Sequence, residues 1–269
     1  MSLINVSNLT FSYEGSYDNI FENVSFQIDT DWKLGFIGRN GRGKTTFLNL
    51  LLGKYAYSGN ISSTVKFEYF PYDVEDKSLY TIEVMKSICT ECMDWEIFRE
   101  ISLLDVQEDA LYRPFNTLSN GEQTKVLLAA LFLTASCFLL IDEPTNHLDI
   151  DARNVVQNYL KRKKGFILVS HDRSLLDQCV DHILSINKTN IEIQKGNFTS
   201  WWENKTLQDN FELAENKKLL KEIGRLSYAA KRSSNWSNKV EKSKYGTTNS
   251  GSKLDKGYVG HKAAKAMKR

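Results

Sequence analysis

The chain has 269 residues, of which 41% are hydrophobic and 25% are charged, and its formal net charge is +2. This length and composition suit a soluble globular protein with one large domain or two small ones. The longest apolar run, 126–141, is shorter than a membrane span and is interrupted by Thr134 and Ser136. The first residues do not resemble a signal peptide, and the four cysteines suit a reducing compartment. We therefore expect a cytoplasmic protein without a membrane partner.

The charge is distributed unevenly along the chain. Residues 217–269 contain fifteen lysines and arginines against three acidic residues, a net charge of +12, whereas residues 1–216 carry a net charge of −10. A solvated charged helix usually mixes both signs, so a basic tail on an acidic body favours an anionic partner. The pattern predicts that the tail contacts nucleic acid.

The first part of the chain predicts strands and one short helix. Residues 3–30 alternate between apolar and polar side chains, which is typical of antiparallel strands. A short apolar run at 33–38 predicts a buried strand that leads into a glycine-rich loop, and the helix Thr45–Leu52 follows that loop. Residues 65–70 predict a further strand.

The middle of the chain alternates between helices and strands. Residues 80–112 have helical character with turns near Cys92 and Asp105, and a helix is predicted from Glu122 to Leu133. Buried strands at 137–142 and 166–170 flank a helix from Asp151 to Lys163. Such alternation predicts an α/β fold with a parallel core sheet.

The last part of the chain has a different character. Residues 182–194 predict a closing hairpin, after which apolar residues recur at helical spacing from Trp201 to about Lys242. The stretch of about 243–260, rich in Gly, Ser and Lys, predicts a tip loop, and a second helix begins near Lys262. Residues 201–269 therefore predict half of a basic helical hairpin.

A glycine-rich loop matches the pattern G-x-x-x-x-G-K-[ST]: Gly38, Arg39, Asn40, Gly41, Arg42, Gly43, Lys44 and Thr45. Its backbone N–H groups can converge on phosphate oxygens at the positive end of the following helix. The Lys44 ammonium would reach the β- and γ-phosphates, and the Thr45 hydroxyl would ligate Mg²⁺. A strand precedes the loop and a helix follows it, as this chemistry requires, and we assign the adjacent Thr46 to the same site.

Polar residues at the ends of other elements extend this prediction. Asp142 and Glu143 end a buried strand; beside a polyphosphate, Asp142 would hold Mg²⁺ through water and Glu143 would polarise the attacking water. Ser119 and Gly121 lie at the predicted start of a helix, which is again a site for an anion. His171 follows another buried strand, a position at which a lone histidine is usually structural.

This order of motifs resembles the ATP-binding-cassette ATPases over residues 3–200. The resemblance implies a P-loop cassette at 1–200 with a parallel core sheet, an antiparallel β subdomain and a helical subdomain at about 73–135. It also implies ATP and Mg²⁺ as cofactors. His171 would be the switch histidine that contacts the γ-phosphate, and Tyr13 would stack on adenine.

The resemblance further implies composite sites shared by two cassettes. Ser119 and Gly121 would belong to the signature that clasps the γ-phosphate bound to a partner cassette, and Thr145–Asp149 would link the two sites. Asn120 replaces a glycine of the usual signature, and we expect its tolerance of left-handed backbone to preserve the turn. Many cassettes carry a glutamine near Mg²⁺ after the strand at 65–70. Tyr72 stands at that position instead, so the resemblance assigns no metal contact there.

The segments DEPTNHLD and LVSHDRSLLD, followed by a basic helical region, resemble the ABC-F group. Its members lack membrane domains, join two cassettes by a helical hairpin and act on ribosomes. The linker is most similar to that of Lsa-type proteins, which protect the ribosome from lincosamides, streptogramin A and pleuromutilins. The resemblance implies a ribosome-associated protein whose linker contacts large-subunit rRNA and tRNA.

Two alternatives stay open: an ATPase subunit of an ABC transporter, and a housekeeping ABC-F translation factor. A transporter subunit would need a groove for the coupling helices of a transmembrane partner. The basic tail and the missing glutamine count against this alternative. With one cassette and half a hairpin, we expect an N-terminal portion of a longer protein. It should bind ATP but hydrolyse it slowly, because each complete site needs a second cassette.

Overall fold

The computed structural model describes residues 2–39, 41–146, 148–187 and 190–244, with side chains described up to Val240. The chain divides into two compact units, one ending at Glu203 and one beginning at Asn204. The elements in chain order are β1 (Leu3–Phe11), β2 (Phe21–Asp29), β3 (Lys33–Ile37), α1 (Lys44–Leu51), β4 (Ser58–Ser62), β5 (Lys66–Phe70), α2 (Thr81–Ile88), α3 (Asp94–Leu103), α4 (Asn120–Leu133), β6 (Cys137–Asp142), α5 (Ile150–Arg162), β7 (Phe166–Val169), α6 (Arg173–Cys179), β8 (His182–Asn187), β9 (Asn190–Lys195) and α7 (Phe198–Lys244).

Two sheets form the first unit, and they confirm the predicted α/β class. The antiparallel sheet has the order β2-β1-β4, and the six-stranded sheet has the order β5-β6-β7-β3-β8-β9. In the larger sheet every pairing is parallel except that of β8 with β9, the predicted closing hairpin. The loops that follow β3, β6 and β7 therefore emerge at the same edge, where ligands bind in open parallel sheets.

Both faces of the parallel sheet are buried. Alternate residues of β6 and β7 belong to two apolar clusters. Leu139, Ile141, Phe166 and Leu168 join the helix-side cluster, and Phe138, Leu140, Ile167 and Val169 join the strand-side cluster. Burial on both faces explains why these strands are continuous apolar runs in the sequence rather than alternating ones.

The segment between β5 and β6 is helical, with α2, α3 and two short 3-10 turns (Glu108–Tyr112 and Phe115–Thr117) before α4. It lies within the predicted helical subdomain at about 73–135. The predicted turns near Cys92 and Asp105 fall between α2 and α3 and after α3, and Asp105 has φ +52°. Neither β4 nor α6 was predicted, since one is polar and the other is short.

A buried carboxylate joins this helical segment to α5. Glu100 of α3 has a relative exposure of 1%. Its Oε2 accepts hydrogen bonds from the Tyr159 hydroxyl, at 2.6 Å, and from Nζ of Lys163, while Arg99 donates to Oε1 at 3.0 Å. Burial alone would raise the pKa of Glu100, but the hydrogen bonds from Lys163 and Tyr159 outweigh it and hold the pKa below its ordinary value.

The long helix α7 begins at Phe198, three residues before the predicted start, and is described to Lys244. Leu207, Phe211, Ile223 and Leu226, which set the predicted periodicity, are all exposed. The predicted tip loop beyond Lys244 and the second helix lie outside the described residues. Among the helices that the structure describes, none combines the length and apolar character that a membrane crossing needs.

Candidate functional site

A cavity of about 470 Å³ opens at the carboxyl edge of the six-stranded sheet. This volume is within the range typical of small-molecule sites. The lining residues come from loops after β1, β3, β6 and β7 and from α1: Tyr13, Ile20, Gly41, Gly43, Lys44, Thr45, Thr46, Asp142, Glu143, Val169 and His171. The tertiary structure therefore brings together nine predicted site residues from distant parts of the chain.

The glycine-rich loop leads directly into α1, which begins at Lys44. Nζ of Lys44 donates a hydrogen bond to the carbonyl oxygen of Gly38 at 2.8 Å. Burial lowers the pKa of Lys44, and the carboxylates of Glu143 and Asp142 oppose that effect. A partly buried ammonium group at a helix N-terminus is suited to a polyanion, because a phosphate would replace the water that burial removes.

The remaining loop residues are placed as follows. Arg39 and Arg42 are exposed, and the backbone N–H of Arg42 donates to the carbonyl oxygen of Arg39 at 3.2 Å. This bond closes a turn between the two arginines. Asn40 lies outside the described residues, so its predicted phosphate contact stays a prediction.

Gly43 has φ +92°, and a Cβ atom there would lie 2.6 Å from Cγ2 of Ile20. We expect Gly43→Ala to lower the free energy of unfolding by about 2 kcal/mol or more, because strain in the left-handed region adds to this clash. Gly41→Ala is the matched control, since Gly41 has φ +75° and no atom of the described part of the chain lies within 4 Å of the added Cβ.

Gly41→Ala should cost only the strain of about 1 kcal/mol. Denaturant titration of both variants measures the difference in their free energies of unfolding. Equal losses in the two variants would show that the contact with Ile20 does not constrain the loop.

Thr45 and Asp142 form the predicted metal-binding pair. Oγ1 of Thr45 donates to Oδ2 of Asp142 at 3.1 Å. A hydroxyl and a carboxylate are the hard oxygen ligands that Mg²⁺ takes beside substrate phosphates, so the donor set fits this ion. The Tyr69 hydroxyl donates to the same Oδ2, also at 3.1 Å.

Tyr69 belongs to none of the motifs in the sequence. In the parallel pairing of β5 with β6, Tyr69 is opposite Leu140, so Tyr69 lies on the sheet face shared by Leu140 and Asp142. The alternation of Phe67 and Tyr69 along β5 could have indicated that both side chains lie on the same face of the sheet. Using this signal requires knowing which strand pairs with β5.

Glu143 follows β6 in a strained backbone conformation, with φ +51°, which is uncommon for a residue other than glycine. Its backbone N–H donates to the carbonyl oxygen of Val169 at 2.9 Å, and the backbone N–H of His171 donates to Oε2 at 3.4 Å. Strain of this kind concentrates at functional sites, because the surrounding structure has to hold the residue in place.

The Glu143 carboxylate lies close to the His171 ring. Nε2 of His171 is 3.4 Å from Oε1 of Glu143, and the side chains are 64% and 19% exposed, respectively. The geometry of this contact is not that of a hydrogen bond, and buried Oε1 has no hydrogen-bond partner among the residues that the structure describes. Burial raises the pKa of Glu143, partly offset by the His171 N–H and ring. An unsatisfied buried acceptor is suited to binding a water molecule.

Tyr13 lines the cavity and is 43% exposed. Its hydroxyl forms a 2.8 Å hydrogen bond with Oγ1 of the buried Thr46. Its ring packs edge-on against Phe11 and Tyr55, with centroid distances of 5.2 and 5.7 Å. The ring is thereby held at the mouth of the cavity, and its stacking on adenine stays a prediction.

Ser119, Gly121 and Asp149 do not line this cavity. Ser119 caps α4: its Oγ accepts from the N–H of Glu122 at 3.2 Å, and its N–H donates to the Glu122 carboxylate at 2.8 Å. Asp149 caps α5 by accepting from the N–H of Ala152 at 2.7 Å. Their predicted contacts with a nucleotide on a second cassette stay predictions.

The expectation of a left-handed backbone at Asn120 is wrong. Asn120 is the first residue of α4, which begins two residues before the predicted Glu122, and it is not among the residues with positive φ. A first helical position has ordinary right-handed φ, which any residue adopts. The replacement of glycine by asparagine therefore needs no special conformation.

Comparison with known proteins shows what this chain is similar to. Residues 21–146 match the family model described as ABC transporter. The chain is similar to ABC transporter F family member 5 of Arabidopsis thaliana, with 27% identity over 75% of this chain and 30% of that protein. It is also similar to the ribosome protection protein VmlR of Bacillus subtilis, with 31% identity over 71% of this chain and 35% of that protein.

A third relative is the erythromycin resistance ATP-binding protein MsrA of Staphylococcus epidermidis, with 34% identity over 67% of this chain and 34% of that protein. The chain spans about a third of the length of these relatives.

A solved structure supports the fold. A metal-chelate-type ABC transporter in an inward-facing conformation aligns with a TM-score of 0.61 and 20% identity, over 72% of this chain and 84% of that chain. The chain therefore has the α/β P-loop fold of ATP-binding-cassette domains, with an antiparallel sheet and a helical segment.

Proposed function

We propose that this chain binds and hydrolyses ATP as part of an ABC-F protein that binds the ribosome through α7. We further propose that it protects the ribosome from antibiotics that act at the peptidyl-transferase centre, namely lincosamides, streptogramin A and pleuromutilins. The observation that carries the proposal is an exposed basic helix placed directly after a cassette domain. Two of the similar proteins are named for ribosome protection and for erythromycin resistance, which supports this assignment.

The cavity residues support a nucleoside triphosphate with Mg²⁺ as ligand. Lys44 and the loop N–H groups would bind the phosphates, and Thr45 with Asp142 would hold Mg²⁺, which neutralises phosphate charge when bound. Glu143 would accept a proton from the attacking water, and the His171 ring beside it would contact the terminal phosphate. Burial strengthens such interactions because the local dielectric constant is lower than in water.

A complete hydrolytic site would need a second cassette. Ser119 and Gly121 lie outside the cavity that holds Lys44 and Glu143. In the proposed assembly, the Ser119 region of one cassette would close over the triphosphate bound to the other. Closure depends on the terminal phosphate, so ATP would favour the closed state and hydrolysis would release it.

The sign of the charge changes along α7. Up to residue 216, α7 contains one lysine and four acidic residues, and that lysine, Lys205, forms a salt bridge with Asp209 at 3.3 Å. From Lys217 to Val240 there are seven lysines and arginines and one acidic residue, Glu222. All seven cations are exposed, and none forms a salt bridge with a residue that the structure describes. Unpaired cations along one helix suit the phosphate backbone of RNA.

Trp236, also on α7, has a relative exposure of 52%. An exposed indole among cations suits stacking on an unpaired RNA base.

The test of ribosome binding is to replace Lys217, Lys218, Lys221 and Arg225 by glutamine. We expect ribosome affinity to fall about 10- to 100-fold, with a weaker salt dependence between about 50 and about 200 mM, because fewer counterions are released. Cosedimentation with ribosomes in the presence of ATP measures both quantities.

The matched control replaces four exposed cations of the cassette by glutamine: Lys77, Lys161, Arg162 and Lys164. This control changes the net charge equally but should leave ribosome affinity nearly unchanged. An equal loss of ribosome affinity in both variants would show that the interaction is a non-specific attraction between charges. Absence of ribosome binding by the wild-type chain would contradict the proposal.

Drug susceptibility separates a resistance protein from a housekeeping translation factor. Expression of the whole gene in a susceptible strain should raise tolerance to lincosamides and pleuromutilins, and the four-glutamine variant of α7 should lose most of that gain. Ribosome binding without any change in tolerance would favour the housekeeping factor. Recovery of the protein in membrane fractions instead of ribosomal fractions would favour a transporter subunit.

A further inference from the structure

Tyr69 contacts the predicted metal-binding residues although it belongs to none of the motifs found in the sequence. It lies on β5, next to β6, and its hydroxyl donates to Oδ2 of Asp142 at 3.1 Å. The Thr45 hydroxyl donates to the same oxygen at 3.1 Å. One carboxylate oxygen therefore accepts from two hydroxyl groups that come from different elements.

The Tyr69 ring is held in place from several sides. It packs against the strand-side cluster, and Nζ of Lys54 lies 5.5 Å from its ring centroid. A phenol, whose ordinary pKa is about 10, carries its proton at neutral pH and can donate it in a hydrogen bond. Tyr69 is therefore a permanent hydrogen-bond donor to Asp142.

Tyr72 does not lie on the face of the sheet that carries Tyr69. It stands where many cassettes have the glutamine near Mg²⁺, but its side chain packs against the helix-side cluster, across the sheet from Tyr69. The hydroxyl group next to the metal-binding carboxylate thus comes from within the strand and not from the loop after it.

We propose that Tyr69 is a positioning residue for Mg²⁺, acting through its hydrogen bond to the Asp142 carboxylate. This inference rests on the proposed binding of ATP with Mg²⁺. A carboxylate that can rotate freely has to lose that freedom when it takes up a metal-bound water. A fixed donor on Oδ2 removes part of this freedom in advance, which strengthens binding by preorganisation. Partners that orient ligand groups in this way commonly change metal affinity 10- to 100-fold.

The test is Tyr69→Phe in the full chain, because this change removes the hydroxyl and keeps the ring. The measured quantity is the affinity for a fluorescent N-methylanthraniloyl derivative of ATP, once with excess Mg²⁺ and once with EDTA. The ratio of the two affinities is the factor by which Mg²⁺ tightens binding. We expect this factor to fall about tenfold in the variant, while the affinity in EDTA changes less than about twofold.

Tyr159→Phe is the matched control. Its hydroxyl also donates to a carboxylate, that of Glu100, at 2.6 Å, but Glu100 does not line the cavity. Both variants lose a phenol–carboxylate hydrogen bond, and only Tyr69→Phe should change the Mg²⁺ factor. Thermal unfolding of each variant establishes that it is folded at the assay temperature.

The outcomes separate this inference from the proposed function. An unchanged Mg²⁺ factor in Tyr69→Phe, with normal nucleotide binding by the wild-type chain, overturns the role of Tyr69 alone. A wild-type factor of one, or an equal fall in Tyr159→Phe, also overturns it. If the wild-type chain binds no nucleotide under either condition, both the proposed function and this inference fail.

Discussion

Replacing Glu143 by glutamine should lower ATP turnover by about 10²- to 10⁴-fold while ATP affinity changes less than about threefold, the effect expected when a general base is lost. Glutamine has nearly the same shape as glutamate but cannot accept the proton of the attacking water. A coupled phosphate-release assay measures turnover, and equilibrium binding of the fluorescent ATP derivative measures affinity.

The geometry around Glu143 is the reason for this expectation. Its backbone is held by the hydrogen bond to Val169, and its Oε1 is buried without a hydrogen-bond partner among the described residues. Burial raises the pKa of this carboxyl group, which makes it a stronger base than an exposed glutamate. The His171 ring, 3.4 Å away, would bring the terminal phosphate close to the same carboxylate.

The raised pKa also predicts an effect on stability. A carboxyl group whose pKa is raised by folding binds its proton more tightly in the folded state. The folded state therefore loses stability as pH rises from the unfolded-state pKa to the folded-state pKa of this group. Glu143→Gln should therefore raise Tm at pH 7, and the gain should vanish below the ordinary glutamate pKa of about 4.3. Thermal unfolding at several pH values measures this difference.

Glu192→Gln is the matched control for both measurements. Its carboxylate is exposed on β9 and accepts from the side-chain amide of Asn187 at 3.0 Å, away from the cavity. Turnover should stay at the wild-type level in this variant. Retention of more than about a tenth of the turnover in Glu143→Gln would show that another group accepts the proton.

Turnover should be measured over a range of chain concentrations. Wild-type turnover should be slow and should rise with concentration, because Ser119 and Gly121 lie outside the cavity and would act on the nucleotide of another cassette. A fast rate that does not depend on concentration would refute the shared site.

The second large effect concerns stability. Replacing Lys163 by methionine should lower the free energy of unfolding by about 3 kcal/mol, because it leaves the buried Glu100 carboxylate without its ammonium partner. Methionine keeps most of the aliphatic chain, so the loss reports the charge more than the packing. Denaturant titration at neutral pH measures it.

The pH dependence of the wild-type chain has a definite sign. The folded-state pKa of Glu100 is lowered, so its contribution to stability is complete above the unfolded pKa of about 4.3 and is lost as pH falls through the folded value. In Lys163→Met this acid-dependent part of the stability should become smaller. A variant whose stability changes with pH as the wild type does would contradict the assignment.

A double variant separates charge from shape. Adding Glu100→Gln to Lys163→Met removes a carboxylate charge that has kept only Arg99 as its ionic partner, and it keeps an acceptor for the Tyr159 hydroxyl. Much of the lost stability should return, since an ion pair replaced by neutral groups of similar size is often tolerated. A further loss in the double variant would mean that the cluster depends on its packing and not on the paired charges.

Local patterns in the sequence predicted much of the fold. The apolar runs of β3, β6 and β7 predicted buried parallel strands, since a strand covered on both faces has no polar side. The apolar spacing of α7 predicted a long helix to within a few residues at its start. By contrast, β4 was missed because Ser58–Ser62 has only one large apolar residue, Ile61, and forms a strand through its pairing with β1.

The candidate site also contains residues that local motifs indicate and residues that only the tertiary structure brings into place. The glycine-rich loop, Asp142–Glu143 and His171 could be found because each stands in a short motif next to a recognisable element. Tyr69 and the role of Glu100 could not be found. Asp142 is 73 residues from Tyr69, and Tyr159 and Lys163 are 59 and 63 residues from Glu100 along the chain. The single correction, at Asn120, concerns a helix that begins two residues earlier than its apolar pattern indicates.

The sequence by itself determined the type of fold, the position of the glycine-rich loop and the basic character of α7, because these depend on residue types at short, regular spacing. Only the tertiary structure decided which hydroxyl groups reach Asp142, which carboxylate oxygen is left without a partner, and how the charge of Glu100 is compensated. These contacts follow from strand order, register and helix packing, which bring distant residues within hydrogen-bonding distance and which no local pattern specifies.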